Sequence, residues 1–400
     1  MLTLSDIKSA SQAIKPYIYK TPLIYSDSLS KRLGADVYLK CENLQRTGSF
    51  KVRGAFNKII GIAKGAKKTL KGVITASMGN HAQGVAYAAS TVGVKAKVVM
   101  PKGVSIVKEE AVRSYGAEVV LYGENLKDAL SYANAQKDYT FIHPYDDEDI
   151  ISGQGSIGIE ISDEMDNIDF ALVPVGGGGL ISGVAVALKS ILPHTLVIGI
   201  QTESATSALS SFRKKKLIES VPLPTLADGI AVGRVGKLPL KIMQRFVDDM
   251  VFVHEGSIAK AILLFLERKK LVVEGAGAVP LAYCLEDGNR FKGKRIVLLI
   301  SGGNIDFTLI DRIIHRGLIE SRRIGIFEVV ISDTPGSLHA VTGIISAERG
   351  NILNVIHNRL SGDIPIGKTK VQFTVELKNK EHLDKIISAL KSKGISAVEI

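Results

Sequence analysis

Four short stretches of this sequence carry groups that could do chemistry. In Thr47-Gly48-Ser49-Phe50-Lys51-Val52-Arg53-Gly54, glycines flank a lysine that follows a small polar residue and an aromatic one. A lysine drawn out of water in such a turn has a lowered pKa and a nucleophilic free amine. Standing alone, the stretch reads by default as a lysine of a surface loop. In Val175-Gly176-Gly177-Gly178-Gly179-Leu180, four glycines leave an apolar run and open a helical one. Without Cβ atoms the backbone can curl its N–H groups inward, and a helix N-terminus adds positive potential, which makes a cradle for a phosphate. An ordinary strand-to-helix turn needs one or two glycines, not four. Ser77-Met78-Gly79-Asn80-His81 again opens a helix and suits a carboxylate, with plain N-capping by Ser77 or Asn80 as the other reading. Ser301 leads Ser301-Gly302-Gly303-Asn304 at the carboxyl end of an apolar run, where open α/β sheets place ligands, although in isolation the stretch reads first as an ordinary loop.

Other chemistries lack their residues. The glycine loop has no Lys-Ser/Thr and is no nucleoside-triphosphate loop. Gly153-Gln154-Gly155-Ser156-Ile157-Gly158 matches a dinucleotide pattern. The acidic residues before it form no strand, however, and position 178 is glycine where an acid is required. Neither metal-ligand spacing among the 8 histidines nor a Gly-x-Ser-x-Gly elbow occurs. The 2 cysteines, Cys41 and Cys284, are too few for a disulfide framework, which points to a reducing, cytoplasmic setting.

The elements that must hold these groups are legible as a pattern. The 400 residues suggest about two or three domains. A composition of 46% hydrophobic and 23% charged residues is globular. No apolar run reaches membrane-spanning length, so no membrane partner is expected. The net charge is +11, but the runs Arg213-Lys214-Lys215-Lys216 and Arg268-Lys269-Lys270 lack interleaved aromatics. They read as solvated surface that binds no nucleic acid and suits anionic small molecules. From about residue 70, short Val/Ile/Leu runs alternate with helical stretches, the signature of parallel sheets covered on both faces. The glycines of 152–158 read as a break between two such blocks, and His315 to Arg323 reads as a linker. Beyond it the order becomes β-α-β-β-α-β, a ferredoxin-like unit.

A reactive lysine, a phosphate cradle, a carboxylate loop and a serine at a strand end together suggest pyridoxal phosphate as cofactor. The chain resembles the threonine dehydratase (threonine ammonia-lyase) family of fold-type II pyridoxal-phosphate enzymes. The likeness rests on Lys40-Cys41-Glu42-Asn43-Leu44-Gln45-Arg46-Thr47-Gly48-Ser49-Phe50-Lys51, Gly79-Asn80-His81-Ala82-Gln83-Gly84, Gly176 to Leu180, Glu274-Gly275-Ala276-Gly277-Ala278 and Ser301-Gly302-Gly303-Asn304, in the family's order. The tail, with Asp333-Thr334-Pro335-Gly336-Ser337-Leu338 and Gly350-Asn351-Ile352, resembles an ACT regulatory domain.

The resemblance implies an α/β fold of the tryptophan synthase β-like type. It has two parallel-sheet domains, a large one over about 1–47 and 148–320 and a small one over about 48–147. The ferredoxin-like ACT domain spans 324–400. It implies that Lys51 carries the cofactor and acts as base, that Phe50 packs on the ring and that Asn80 bonds the ring hydroxyl. Gly176, Gly177, Gly178, Gly179 and Leu180 would hold the phosphate, Ser301 would face the ring nitrogen, and Glu274 would belong to the cofactor site. Ser77, Met78, Gly79, Asn80 and His81 would take the substrate carboxylate. The implied reaction is α,β-elimination from threonine to 2-oxobutanoate and ammonia, and from serine to pyruvate. Serine dehydratase, serine racemase and an amino-acid sensor with a silent catalytic region are the alternatives. Met78 stands where racemases carry a proton-donating serine, which disfavours racemisation. Of the acidic cluster that holds a cation in relatives, only Glu203 matches, with Ala208 and Leu209 following, so no metal is expected. An amino-acid effector is expected at Asp333, Gly336 and Asn351, and ACT pairing implies a homodimer or homotetramer.

Overall fold

The computed structural model describes residues 2–65, 71–359 and 364–400. Contacts divide the chain into two units, 1–305 and 306–400. The first opens with α1 (Leu4–Ile14), β1 (Leu23–Tyr25), α2 (Asp27–Leu33) and β2 (Asp36–Cys41). Thr3 caps α1 in a reciprocal capping box with Asp6, which satisfies two otherwise orphaned backbone donors. Next come α3 (Lys51–Lys64), β3 (Gly72–Ala76), α4 (Asn80–Thr91), β4 (Ala96–Met100), α5 (Ile106–Ser114), β5 (Glu118–Leu121), α6 (Leu126–Ala135) and β6 (Tyr139–Phe141). The four strands form one sheet in the order β5-β4-β3-β6, every pair parallel.

The chain then returns through α7 (Glu148–Ser162), β7 (Phe170–Pro174), α8 (Gly179–Ile191), β8 (Leu196–Thr202), α9 (Ser207–Lys214), α10 (Lys237–Phe246), β9 (Asp249–Val253), α11 (Glu255–Leu264), α12 (Gly275–Glu286) and β10 (Arg295–Ile300). Its strands join the first two in a six-stranded sheet ordered β1-β2-β10-β7-β8-β9. All its pairs are parallel except β1 with β2. Val173, Val175, Ile181, Val184, Val297 and Leu299 pack one face of this sheet against α8. Burying each such side chain contributes about 1.5–3 kcal/mol.

Each parallel sheet reverses its winding once. In the small sheet the reversal lies between β3 and β6, and in the large one between β7 and β10. A crevice opens outside the carboxyl ends of the strands at such a point. Residues 77–79 follow β3, 142–147 follow β6, 175–178 follow β7 and 301–304 follow β10. The topology therefore aims the candidate loops at two crevices.

Two expectations need correction. The Gly153–Gly158 stretch is no break, because it lies inside α7, whose N-cap Asp147 accepts from Asp149 N and Ile150 N. Its glycines permit close helix contact: a Cβ on Gly153 would stand 2.7 Å from the Arg53 carbonyl oxygen, and one on Gly155 2.9 Å from that of Gly183. Nor is His315–Arg323 mostly a linker. The second unit begins with α13 (Phe307–Glu320), capped by Asp306 and burying Ile310 and Ile313 three residues apart.

After α13 follow β11 (Ile324–Ser332), α14 (Ser337–Ala347), β12 (Asn351–Asn358), β13 (Lys368–Glu376), α15 (Lys380–Ser392) and β14 (Ala397–Glu399). The sheet order β12-β13-β11-β14 is antiparallel throughout. Phe327, Val329, Val371 and Phe373 alternate inward along their strands against Val341, Ile345, Leu383 and Ile386 of the two helices. Among the described residues no helix is long and apolar enough to cross a membrane.

Candidate active site

Lys51 is the first residue of α3, after a turn that the β10 loop zips in place. Phe50 N donates to Ser301 O at 3.1 Å and Gly303 N to Gly48 O at 2.9 Å. Asn304 Nδ2 donates to Thr47 O at 2.8 Å and to Asn80 Oδ1 at 2.7 Å. Two stretches some 250 residues apart thus form one wall. Lys51 Nζ donates to Pro144 O at 3.0 Å and lies 5.3 Å from the Phe50 ring centroid. Burial, opposed by the nearby Glu274 carboxylate, pulls its amine down to about 8.

The loop after β6 joins the lysine to the glycine turn. Pro144 receives the amine, and the neighbouring Tyr145 packs against the turn. A Cβ on Gly177 would meet Tyr145 Cγ at 2.3 Å, so only glycine fits. Gly178 takes φ +90°, a left-handed setting that glycine adopts without strain, and caps α8 with no side chain. The first N–H groups of α8 have no intrahelical partner. Leu180 buries its side chain in the core, which leaves its backbone N–H as its only contribution to a ligand.

Asn80 opens α4, and its Nδ2 donates to Glu274 Oε1 at 3.0 Å and Oε2 at 2.9 Å. Glu274 precedes α12, is 4% exposed and is raised to about 7 by burial. Ser301 is 2% exposed, and its Oγ has no hydrogen-bond partner. In the carboxylate loop, Ser77 Oγ accepts from Gly79 N at 3.2 Å. The N-cap of α4 is Gly79, without a side-chain cap, so capping by Ser77 or Asn80 is not found. Met78 is 37% exposed. His81 is buried with Nε2 3.1 Å from Ile142 O, and burial depresses its pKa to about 3. Its ring is therefore neutral, and the positive potential of this loop comes from backbone N–H groups and the helix terminus.

The structure thus gathers Lys51 and Phe50 with Ser301, and Asn80 with Glu274, the two groups bridged by Asn304 and by Glu274 N donating to Gly302 O, with the glycine turn joined to Lys51 by 144–145. Pro144, Tyr145 and Asn304 were given no role from sequence. Asn304 lies in the Ser301-Gly302-Gly303-Asn304 motif, whereas nothing in the sequence marks the other two. In the second unit, Asp333 pairs with Arg359 at 3.0 Å, and Gly336 caps α14 at φ +90° with open space around its Cβ position. Asn351 instead bonds Glu376 at the far end of β12, roughly 30 Å along the strand direction from Asp333 at 3.3 Å per residue. Glu203 Oε1 accepts from Glu255 N, and no group of three metal-ligating side chains occurs among the described residues.

Two family descriptions match the chain: "Pyridoxal-phosphate dependent enzyme" over residues 14–302 and "ACT domain" over 325–399. The L-threonine ammonia-lyase of Thermotoga maritima is 45% identical over 397 residues, 98% of each chain. That of Geobacter sulfurreducens is 43% identical over the same share. The processed form of threonine deaminase isoform 2 from Solanum lycopersicum superposes with a TM-score of 0.74 at 38% identity, covering 78% of this chain and 86% of that one.

Proposed function

Because the chain belongs to the pyridoxal-phosphate-dependent enzymes, we propose that it is an L-threonine ammonia-lyase, which converts L-threonine to 2-oxobutanoate and ammonia and L-serine to pyruvate, regulated by an amino acid at its ACT domain. The observation that carries this reading is that one loop, 144–145, touches both the Lys51 amine and the four-glycine turn.

The residues fit the cofactor. The glycine turn excludes side chains where a phosphate would sit, and the start of α8 offers N–H donors. The Ser301 hydroxyl is buried without a partner, as a group awaiting a ring nitrogen would be. Asn80 presents an amide against Glu274, whose carboxylate acts on the Lys51 amine, and Phe50 presents a ring beside that amine.

Bound there, pyridoxal phosphate supplies a covalent hold on the substrate amino group and draws electrons from its Cα. Lys51 would hold the cofactor at rest and, when its amine is free, would take the Cα proton on Nζ. With a pKa of about 8, roughly a tenth of such an amine is free at pH 7. Backbone N–H groups of Ser77 to His81 orient the substrate carboxylate, while neutral His81 holds that loop to Ile142 O. Met78 has no proton to return to Cα, which favours elimination over racemisation. Passage of the Cα proton to Lys51 and departure of the β-hydroxyl, with a proton, as water would leave an enamine, which takes up water to give the keto acid and ammonia. Threonine and serine differ by one methyl, worth about 1–3 kcal/mol, so both react.

Residues 1–47 with 148–305 form the large domain and 48–147 the small domain, while α13 joins the regulatory residues 324–400 in the second unit. The protein works in the cytoplasm as a homodimer or homotetramer. Asp333 and Gly336 face the effector from one chain, and Asn351 joins them from a second copy. The test is a keto-acid assay of the cofactor-loaded chain, repeated with isoleucine, valine or serine added. Release of 2-oxobutanoate from threonine supports the reading, and turnover of neither threonine nor serine overturns it.

A further inference from the structure

The most deeply buried charges of the first unit lie outside the site described above. Lys40, Glu42 and Arg53 are each 0% exposed, and Glu160 is buried beside them. Arg53 Nε donates to Glu42 Oε2 at 2.8 Å, and Nη2 to Glu42 Oε1 at 2.8 Å, a two-pronged pair. Its Nη1 donates to Glu160 Oε1 at 2.6 Å and to Ser156 Oγ at 3.1 Å, and Nη2 reaches Glu160 Oε2 at 2.9 Å. Lys40 Nζ completes the group with Glu160 Oε2 at 2.6 Å and Thr21 O at 2.7 Å. Two cations face two carboxylates, so the cluster is neutral. It ties together β2, the turn after it, α3 and α7.

Such a cluster is a poor source of stability, because desolvation offsets most of the attraction and a well-packed apolar set would do as well. What it supplies is direction. The guanidinium fork accepts partners only in its own plane, and here both of its edges are occupied by carboxylates.

Arg53 stands two residues after Lys51 on α3. At 100° per residue the two side chains leave the helix on opposite sides. The backbone of this turn is also held closely. A Cβ on Gly84 of α4 would stand 3.1 Å from the Lys51 carbonyl carbon, and one on Gly153 of α7 would stand 2.7 Å from the Arg53 carbonyl oxygen. Those contacts prevent the turn from shifting sideways. Rotation of α3 about its own axis, which would swing Lys51 across the crevice, is opposed by the Arg53 fork.

We propose that Arg53, gripped by Glu42 and Glu160, is a positioning residue for Lys51: it fixes the rotation of α3 and so the point from which the Lys51 amine works. This inference rests on the reading of Lys51 as the cofactor-bearing base. It assigns the buried cluster to the rate of the chemical step rather than to substrate binding.

The test is Arg53→Lys in the full-length, cofactor-loaded chain, which keeps the charge and removes the fork. The expected result is a kcat for threonine lower by about 10²-fold, the effect of roughly an ångström of misplacement. KM stays within about twofold, as expected when only the chemical step is impaired. The visible circular dichroism of the bound cofactor, which reports how the ring is held, changes in intensity or sign, while the far-ultraviolet spectrum is retained. Parental kcat and an unaltered visible band, with only a lower melting point, overturn the proposal. Should Arg53→Lys not fold, Glu42→Gln removes one prong and leaves the contacts to Glu160 and Ser156. The same split of kcat from KM with a changed visible band supports the role, and parental values of both overturn it. The parental chain is measured alongside. If it has no visible band and releases no product, the reading of Lys51 itself fails; if it is normal and the variant matches it, only the positioning role fails.

Discussion

The Asn80 amide lies across the Glu274 carboxylate, its Nδ2 3.0 and 2.9 Å from the two oxygens, while Asn80 Oδ1 accepts from Asn304. A donor on one side and an acceptor on the other leave the amide a single orientation. Burial raises Glu274 from 4.5 to about 7. Between those values the folded chain binds a proton that the unfolded chain lacks. The stability from this group is therefore present at acid pH and is lost as pH rises through about 7. A shift of that size is on the order of 3 kcal/mol. The cofactor-free chain should lose its stability advantage over Glu274→Gln between pH 5 and pH 8 in urea titrations, and a constant difference would contradict this. His81, depressed to about 3, acts in the opposite direction below 6.5 and cancels in the comparison.

Lys51 is displaced downward, from 10.5 to about 8. Its free amine is the form that attacks an aldehyde. The rate of cofactor capture by the apo chain, followed by visible absorbance, should rise about tenfold per pH unit and level off near pH 8. A rise that continues beyond pH 10 would mean an ordinary, solvated lysine.

Gly177→Ala drives a methyl group into the Tyr145 ring at 2.3 Å. Overpacking of this kind costs about 1–3 kcal/mol. Much of it should appear as cofactor affinity weaker by about 10- to 100-fold. Gly256→Ala, with nothing within 4 Å of its Cβ position, is the control. Equal affinity in the two variants would remove the glycine turn from the cofactor site.

Cys41 and Cys284 are buried and free, with both thiols raised by burial, that of Cys41 to about 12. The thiolate is the reactive form. A thiol reagent at pH 8 should label neither in the native chain and both in denaturant. Rapid native labelling would contradict this packing.

The strands Ala96–Met100 and Arg295–Ile300 fall on short Val/Ile/Leu runs of the kind the sequence shows from about residue 70, because the middle of a buried parallel strand is apolar on both faces. Lys51, Asn80, Glu274 and Ser301 were legible because each sits in a motif at a strand or helix end. The glycines of α7 misled because glycine marks both a turn and a close helix contact, and only the partner, Arg53 and Gly54 about a hundred residues away, distinguishes them. Glu160 was invisible for the same reason: its cationic partner Arg53 is 107 positions distant. The loop 144–145 is defined by what it touches, which no local pattern encodes.

Borohydride reduction of the chain after incubation with pyridoxal phosphate, followed by peptide mass mapping, examines the cofactor assignment most directly. A single pyridoxyl group on the peptide carrying Lys51, with visible absorbance that disappears in Lys51→Ala, is the expected result. An unlabelled Lys51, or a label that persists on another lysine while 2-oxobutanoate is still produced, would contradict it.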